Sequence, residues 1–254
     1  DLHLSLRRQR QMCIRDSFCP GKESTFAFLE GVLEEVMELF PSNYIHIGGD
    51  EANLVRWMKC PHCAERMKKE GLRNVQELYG YFIRRIELFI HKGGRRLVGW
   101  DEVLTAKLPS RAIIMSWRGI KGGVAAAESG HDVVMCPTSH CYFDYYQSLD
   151  RSKEPEAIGG FIPLEKVYSF EPVPSGLDKA AEERILGAQG NLWSEFIFDY
   201  PHLQYMAFPR LCALSEVLWS EKSNRRNFEE FRLRLAENLK HLKKAGCRYR
   251  PLGN

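Results

Sequence analysis

Two adjacent carboxylates, Asp50 and Glu51, close the run Tyr44-Ile45-His46-Ile47-Gly48-Gly49-Asp50-Glu51. Neighbouring acids repel one another unless a cation, a proton or a substrate compensates, so such a pair suits acid–base chemistry. The residues before the glycines read as a strand. Alternation along it puts His46, Gly48 and Asp50 on one face and Ile45 and Ile47 on the other. The glycines leave room at the strand end for close approach of a ligand or another backbone. A plainer reading is a strand running into a helix whose first turn accommodates acids. Residue chemistry alone does not separate the two.

The same form recurs downstream. Arg96–Glu102 reads as a strand ending in Trp100-Asp101-Glu102, and Ala112–Trp117 as one ending in Ser116-Trp117. Asp132–Cys136 leads into the aromatic loop Tyr142-Phe143-Asp144-Tyr145-Tyr146, and Ile185–Gln189 closes on Leu192-Trp193-Ser194-Glu195. Single tryptophans are usually core residues, but three near successive strand ends suggest the wall of a site. Asp101-Glu102 is a second acidic pair, which in its plainer reading leads into a helix.

Helices must position these ends. Ser24 can cap a helix striped by Phe26, Leu29, Leu33, Val36 and Phe40 and stopped by Pro41. A helical segment follows from beyond Glu51 to about Glu70, with Gly71 as its stop. Asn74 with Glu77 then starts a helix carrying the apolar positions Val75, Leu78, Tyr79, Phe82, Ile86, Phe89 and Ile90, ended by Gly93-Gly94. A small helix runs from Gly122-Gly123 to near Gly130, and a Pro-rich connection crosses 151–176. Helices at roughly 202–219 and 227–244 complete the chain, the second striped by Phe228, Phe231, Leu235, Leu239 and Leu242.

Strands alternating with helices indicate an α/β fold with a parallel sheet, in which ligands bind at the C-terminal ends of the strands. Gly48-Gly49-Asp50 lacks the spacing of a dinucleotide-binding loop. A (β/α)8 TIM barrel is therefore favoured over a doubly wound sheet. It is an incomplete one, because a full barrel has eight strands and only five can be counted.

The chain has 254 residues, of which 44% are hydrophobic and 27% charged, as expected of a globular domain. A net charge of +3 gives no footing for nucleic acid as a partner, and no run is long and apolar enough for a membrane span. Eight cysteines are too few for a disulfide scaffold at this length. Residues 1–17 are rich in arginine, without usable periodicity, and resemble translated adapter sequence; a basic arm is the alternative. They are set apart as a non-native leader, and 18–254 as the partial barrel domain.

Taken in order, His46-Ile-Gly-Gly-Asp50-Glu51, Gly99-Trp100-Asp-Glu, Ser116-Trp117-Arg-Gly, Tyr142-Phe-Asp144 and Leu192-Trp193-Ser-Glu195 resemble the catalytic barrel of the family-20 glycoside hydrolases, the β-N-acetylhexosaminidases. The resemblance runs from about Phe18 to the C-terminus, and its five βα units correspond to the fourth to eighth of that barrel. It implies a retaining exo-hydrolase acting on glycans with terminal β-linked N-acetylhexosamine, in which the substrate's own 2-acetamido group is the nucleophile. Glu51 would be the general acid/base, Asp50 would orient and stabilise the acetamido group, and Tyr142 would hydrogen-bond its carbonyl oxygen. Trp100, Trp117 and Trp193 would wall the acetamido pocket, and Asp144 and Glu195 would bind sugar hydroxyls. Partial burial and the nearby anion would keep Glu51 protonated. No cofactor or metal is implied. The resemblance points to a periplasmic, secreted or lysosome-like compartment and to a longer natural chain that supplies the first three strands. As given, the chain is expected to be inactive, and a non-catalytic carbohydrate-binding remnant is the alternative.

Cys60-Pro61-His62-Cys63 suggests a redox pair or half of a zinc site. No second Cys pair at ligand spacing follows, and the preceding segment lacks the strand-to-helix setting of a thioredoxin. The motif therefore reads as a local structural pair, disulfide-bonded in an oxidising compartment. His46 reads as an interior hydrogen-bonding residue.

Overall fold

The computed structural model describes residues 17–225 and 227–252. All but the last residue of the leader set apart in the sequence lies outside the described residues. The five expected strands are present: β1 (Tyr44–His46), β2 (Arg96–Trp100), β3 (Ile113–Ser116), β4 (Asp132–Met135) and β5 (Ile185–Ala188). They form one sheet in the order β1-β2-β3-β4-β5. The pairing is parallel, with Ile45 opposite Leu97 and Gly99 opposite Ile114. A doubly wound sheet reverses its strand order at a switch point, whereas a barrel adds each strand beside the last. The unreversed order is that of a partial TIM barrel.

The chain divides into two compact units, one running to Met115 and including Ala125–Val133, the other comprising Ser116–Val124 and Val134 onward. In the first unit, α1 (Glu23–Leu39) buries Phe26, which meets Phe82 edge to face at 5.5 Å and lies under the Arg85 guanidinium at 3.8 Å. Its start differs from the sequence reading: Lys22 is the cap and Ser24 already lies within the first turn. Beyond Glu51 there is not one helix but two, α2 (Val55–Met58) and α3 (Pro61–Lys69). Pro61 has no N–H to continue a helix but suits the first turn of a new one. The Asn74 side chain caps α4 (Val75–Lys92) by accepting from the Glu77 N–H at 2.9 Å. Helix α4 buries Leu78, Ile83, Ile86 and Ile90, each worth about 1.5–3 kcal/mol relative to exposure.

The second unit contains α6 (Leu164–Tyr168) within the Pro-rich connection, α7 (Lys179–Glu182), α8 (Tyr200–Ala207), α9 (Arg210–Trp219) and α10 (Phe228–Lys244). A fifth helix in chain order, α5 (Ile120–Glu128), joins β3 to β4. The single helix expected over 202–219 is broken at Phe208-Pro209, because the residue before a proline is pushed to extended backbone and Phe208 takes it. Tyr168 stacks on Phe231 at 4.3 Å, and Leu235 and Leu239 follow on the buried stripe of α10. Among the described residues, no helix is long and apolar enough to cross a membrane.

Candidate active site

The acidic pair does not open a helix. β1 ends at His46, and Ile47 N–H still bonds Val98 O at 3.0 Å, but Gly48 and Gly49 then take φ of +73° and +93°. Glu51 follows at φ +47°, and α2 begins only at Val55. The plainer reading of acids in a first helical turn therefore fails. The left-handed glycines also end the alternation that was expected to align His46, Gly48 and Asp50. Gly49 is required twice over: besides its φ, a Cβ there would lie 2.5 Å from the Val103 side chain. Tyr79 O–H donates to Gly49 O, and Trp100 N–H bonds Gly48 O at 2.9 Å, fixing the turn from two sides.

A left-handed glutamate carries a backbone cost of about 1–3 kcal/mol, the kind of strain concentrated at functional sites. Asp50 and Glu51 line a cavity of about 480 Å³ together with His46, its inner wall formed by Leu33, Phe82 and Ile86. Both carboxylates are exposed, so the partial burial expected around Glu51 is not found. His46 is likewise exposed rather than interior. Its Nδ1 accepts from the Gly48 N–H at 3.0 Å, and its ring meets that of buried Trp100 edge on at 4.9 Å. Crowding by protein lowers the His46 pKa, and the Asp50 charge pulls it the other way.

The second unit holds the other expected residues. Tyr142 is buried between two tryptophans, stacked on Trp117 at 6.4 Å and tilted against Trp193 at 6.5 Å. Phe143 N–H bonds Asn191 O at 2.7 Å and Asn191 N–H bonds Cys141 O at 2.6 Å, which ties the aromatic loop to the segment after β5. Burial raises the Tyr142 pKa while the Trp193 indole opposes it, so the phenol remains a donor at neutral pH. Arg210, which nothing in the sequence singled out, is wholly buried. It donates to Tyr145 O at 2.9 Å, Ile162 O at 3.2 Å, Met206 O at 2.7 Å and Phe143 O, and so clamps the loop that carries Asp144.

Asp144 is 3% exposed, and its Oδ1 has no hydrogen-bond partner. Buried acceptors are nearly always satisfied, so this oxygen is suited to a ligand's hydroxyl. Burial lifts the carboxyl from 3.8 to about 6, its own backbone N–H and Arg210 oppose the rise, and Glu195 adds to it. The folded state thus holds this proton more tightly than the unfolded chain does. The stabilisation is complete below about pH 4, is lost as pH rises through 6, and amounts to roughly 3 kcal/mol. Asp144→Asn is therefore expected to raise Tm at about pH 7.5 relative to the parent, with the gain vanishing near pH 4. A Tm difference independent of pH over this range would show that the carboxylate is already compensated.

A parallel βαβ array with acids and aromatics at its strand ends is that of an α/β barrel with a site at the C-terminal ends of its strands. The catalytic-domain profile of glycosyl hydrolase family 20 matches residues 4–222, and the chain belongs to that family. It is 44% identical over 236 residues to a β-hexosaminidase of Porphyromonas gingivalis, covering 92% of this chain and 30% of that protein. To a β-hexosaminidase of Vibrio furnissii it is 35% identical, over 77% of this chain and 32% of that one. Among solved structures, the exo-β-N-acetylglucosaminidase of Vibrio harveyi in complex with N-acetylglucosamine superposes with a TM-score of 0.82 at 36% identity, over 91% of this chain and 36% of the other. The β-N-acetylhexosaminidase of Bacteroides fragilis superposes at 0.80 and 28% identity, over 93% and 48%. The chain thus spans about a third of the length of these two curated relatives.

Proposed function

We propose that this chain carries the acid-bearing part of a retaining exo-β-N-acetylhexosaminidase that removes terminal β-linked GlcNAc or GalNAc by substrate-assisted catalysis. The observation that carries the proposal is the backbone at Glu51, a left-handed glutamate set outside any helix by two left-handed glycines. Glu51 gives its proton to the leaving glycosidic oxygen while the acetamido oxygen attacks the anomeric carbon and the glycosidic C–O bond breaks. Because the nucleophile belongs to the substrate, fixing its geometry replaces a bimolecular step. Asp50 orients the acetamido group and offsets the positive charge that grows on its nitrogen. Tyr142, kept as a donor by burial, hydrogen-bonds the acetamido carbonyl oxygen. Water then opens the cyclic intermediate and returns a proton to Glu51, so two displacements retain the anomeric configuration.

In this reading Trp100, Trp117 and Trp193 close on the acetamido methyl, and Asp144 and Glu195 accept from sugar hydroxyls. The unpartnered Oδ1 of Asp144 supports its part. The exposed Glu51 and the five-strand sheet support a further point, that turnover requires a complete barrel.

The test uses a chain that carries a complete barrel. Asp50→Asn and Tyr142→Phe should each weaken binding of a thiazoline mimic of the cyclic intermediate by about 10²-fold or more, while binding of free N-acetylglucosamine changes much less. If the mimic binds the parent no better than the free sugar does, the substrate-assisted mechanism fails.

A further inference from the structure

Three sulfurs meet at the junction of α1 and α3. Cys19, 41 residues before Cys60, places its Sγ 3.6 Å from both Cys60 Sγ and Cys63 Sγ, and all three lie within 4.8 Å of one another. All three cysteines are free, Cys63 buried and the other two half-buried. We propose that Cys19, Cys60 and Cys63 form a tri-thiolate site for a structural zinc ion, apart from the proposed sugar-cleaving chemistry.

The separations carry the argument. Disulfide sulfurs sit about 2.05 Å apart. Two thiolates bound tetrahedrally to zinc at about 2.3 Å are separated by the tetrahedral edge, about 3.8 Å. Cys19 lies close to that edge distance from two sulfurs at once, which no disulfide among three cysteines explains. The backbone agrees. Cys60 is the residue before α3, with Pro61 at the helix's first position, so its sulfur sits at the N-terminus of α3 and Cys63 follows within the first turn. The N-terminal end of a helix favours negative charge, which suits a metal-bound thiolate.

The third sulfur arrives on a turn built to fit. Cys19-Pro20-Gly21-Lys22 closes with Lys22 N–H on Cys19 O at 3.2 Å. Gly21 lies so near the other turn that a Cβ would come within 2.3 Å of His62 C and O and 2.6 Å of Cys63 N. Two Cys-Pro turns are thus pressed backbone to backbone. Buried Arg66 locks them, pairing with Glu23 at the start of α1 and reaching Gly21 O at 3.5 Å. On binding, the ion displaces the thiol protons to solvent, and the site carries one net negative charge beside this guanidinium. The fourth corner falls to water or to His62, which is exposed between Cys60 and Cys63 in the sequence.

The protein, purified metal-free under reducing conditions, is titrated with zinc and with cobalt(II) as a spectroscopic substitute. The expected result is one tightly held equivalent, with the visible absorption of tetrahedral cobalt and a sulfur-to-cobalt charge-transfer band. Cys19→Ser, Cys60→Ser and Cys63→Ser should each abolish stoichiometric binding, while Cys212→Ser should leave it intact. Should a variant fail to fold, X-ray absorption on the zinc-loaded parent decides, with three sulfurs at about 2.3 Å expected. Fewer than three sulfurs, no retained metal, or metal retained unchanged by all three single variants would overturn the site.

Discussion

Glu51→Gln, in a chain with a complete barrel, is expected to lower turnover of substrates with poor leaving groups by about 10²–10⁴-fold, the range over which general acid catalysis contributes. Glutamine keeps the shape of the side chain and asks nothing new of the backbone at φ +47°, so the fold is retained. What is lost is the proton. An alkoxide leaving group needs that proton in the transition state, whereas an activated aryl oxide departs with little help. The variant should therefore lose much less on an activated aryl N-acetylglucosaminide than on a disaccharide. Equal losses on both would mean that Glu51 positions the substrate rather than protonating it. A companion change separates chemistry from stability. Glu51→Gly relieves a left-handed cost of about 1–2 kcal/mol but adds unfolded-chain entropy of about 0.5–1 kcal/mol, so it should be neutral to slightly stabilising while removing the acid altogether. A variant that is both more stable and inactive would be the usual exchange of stability for function.

How far the molecule could be read from its residues follows from which forces are local. All five strands and their sequential order were legible, because each leads to a distinctive glycine, aromatic or acidic cluster, and a helical period follows each except β4, which gives way to the aromatic loop and the Pro-rich connection. The Asn74–Glu77 cap was legible because it is a contact three residues apart. The proline breaks at Cys60-Pro61 and Phe208-Pro209 were visible in principle, but unbroken apolar periodicity on either side masked them. The stance of Glu51 was not readable, since strand alternation assumes extended backbone and only the coordinates reveal a left-handed non-glycine. Arg210 was hidden as one basic residue within an apolar helix, its role set by carbonyls on the 143–146 loop, at Ile162 and at Met206. Cys19 was missed for a related reason. Spacing rules find ligands within one turn or between paired motifs, and this sulfur comes from a separate turn 41 residues away.

Expressed alone, residues 18–254 are expected to associate and to hydrolyse an aryl N-acetylglucosaminide no faster than a buffer blank. Among the described residues five strands are present, where a closed barrel has eight. Among the described residues, β1 pairs with β2 on one side only, which leaves one edge of Tyr44–His46 as a template for pairing with another chain. The cavity beside it is walled by Leu29, Val32, Leu33, Phe82, Ile83 and Ile86 from α1 and α4, an apolar surface of the kind a closed barrel keeps dry. On the rest of α1 and just beyond it, Phe28 is 60% exposed, Leu39 74% and Phe40 59%. Each Å² of apolar surface left wet forgoes about 25 cal/mol, against net stabilities of only about 5–15 kcal/mol for a whole domain. The chemistry suffers for the same reason. With Glu51 open to solvent, the low-dielectric closure that strengthens transition-state electrostatics is missing. Light scattering and a single-turnover assay on the isolated chain decide the matter. A monodisperse monomer with specific turnover that disappears in Glu51→Gln would show that five βα units suffice, and that the edge of β1 is protected by something other than a neighbouring strand.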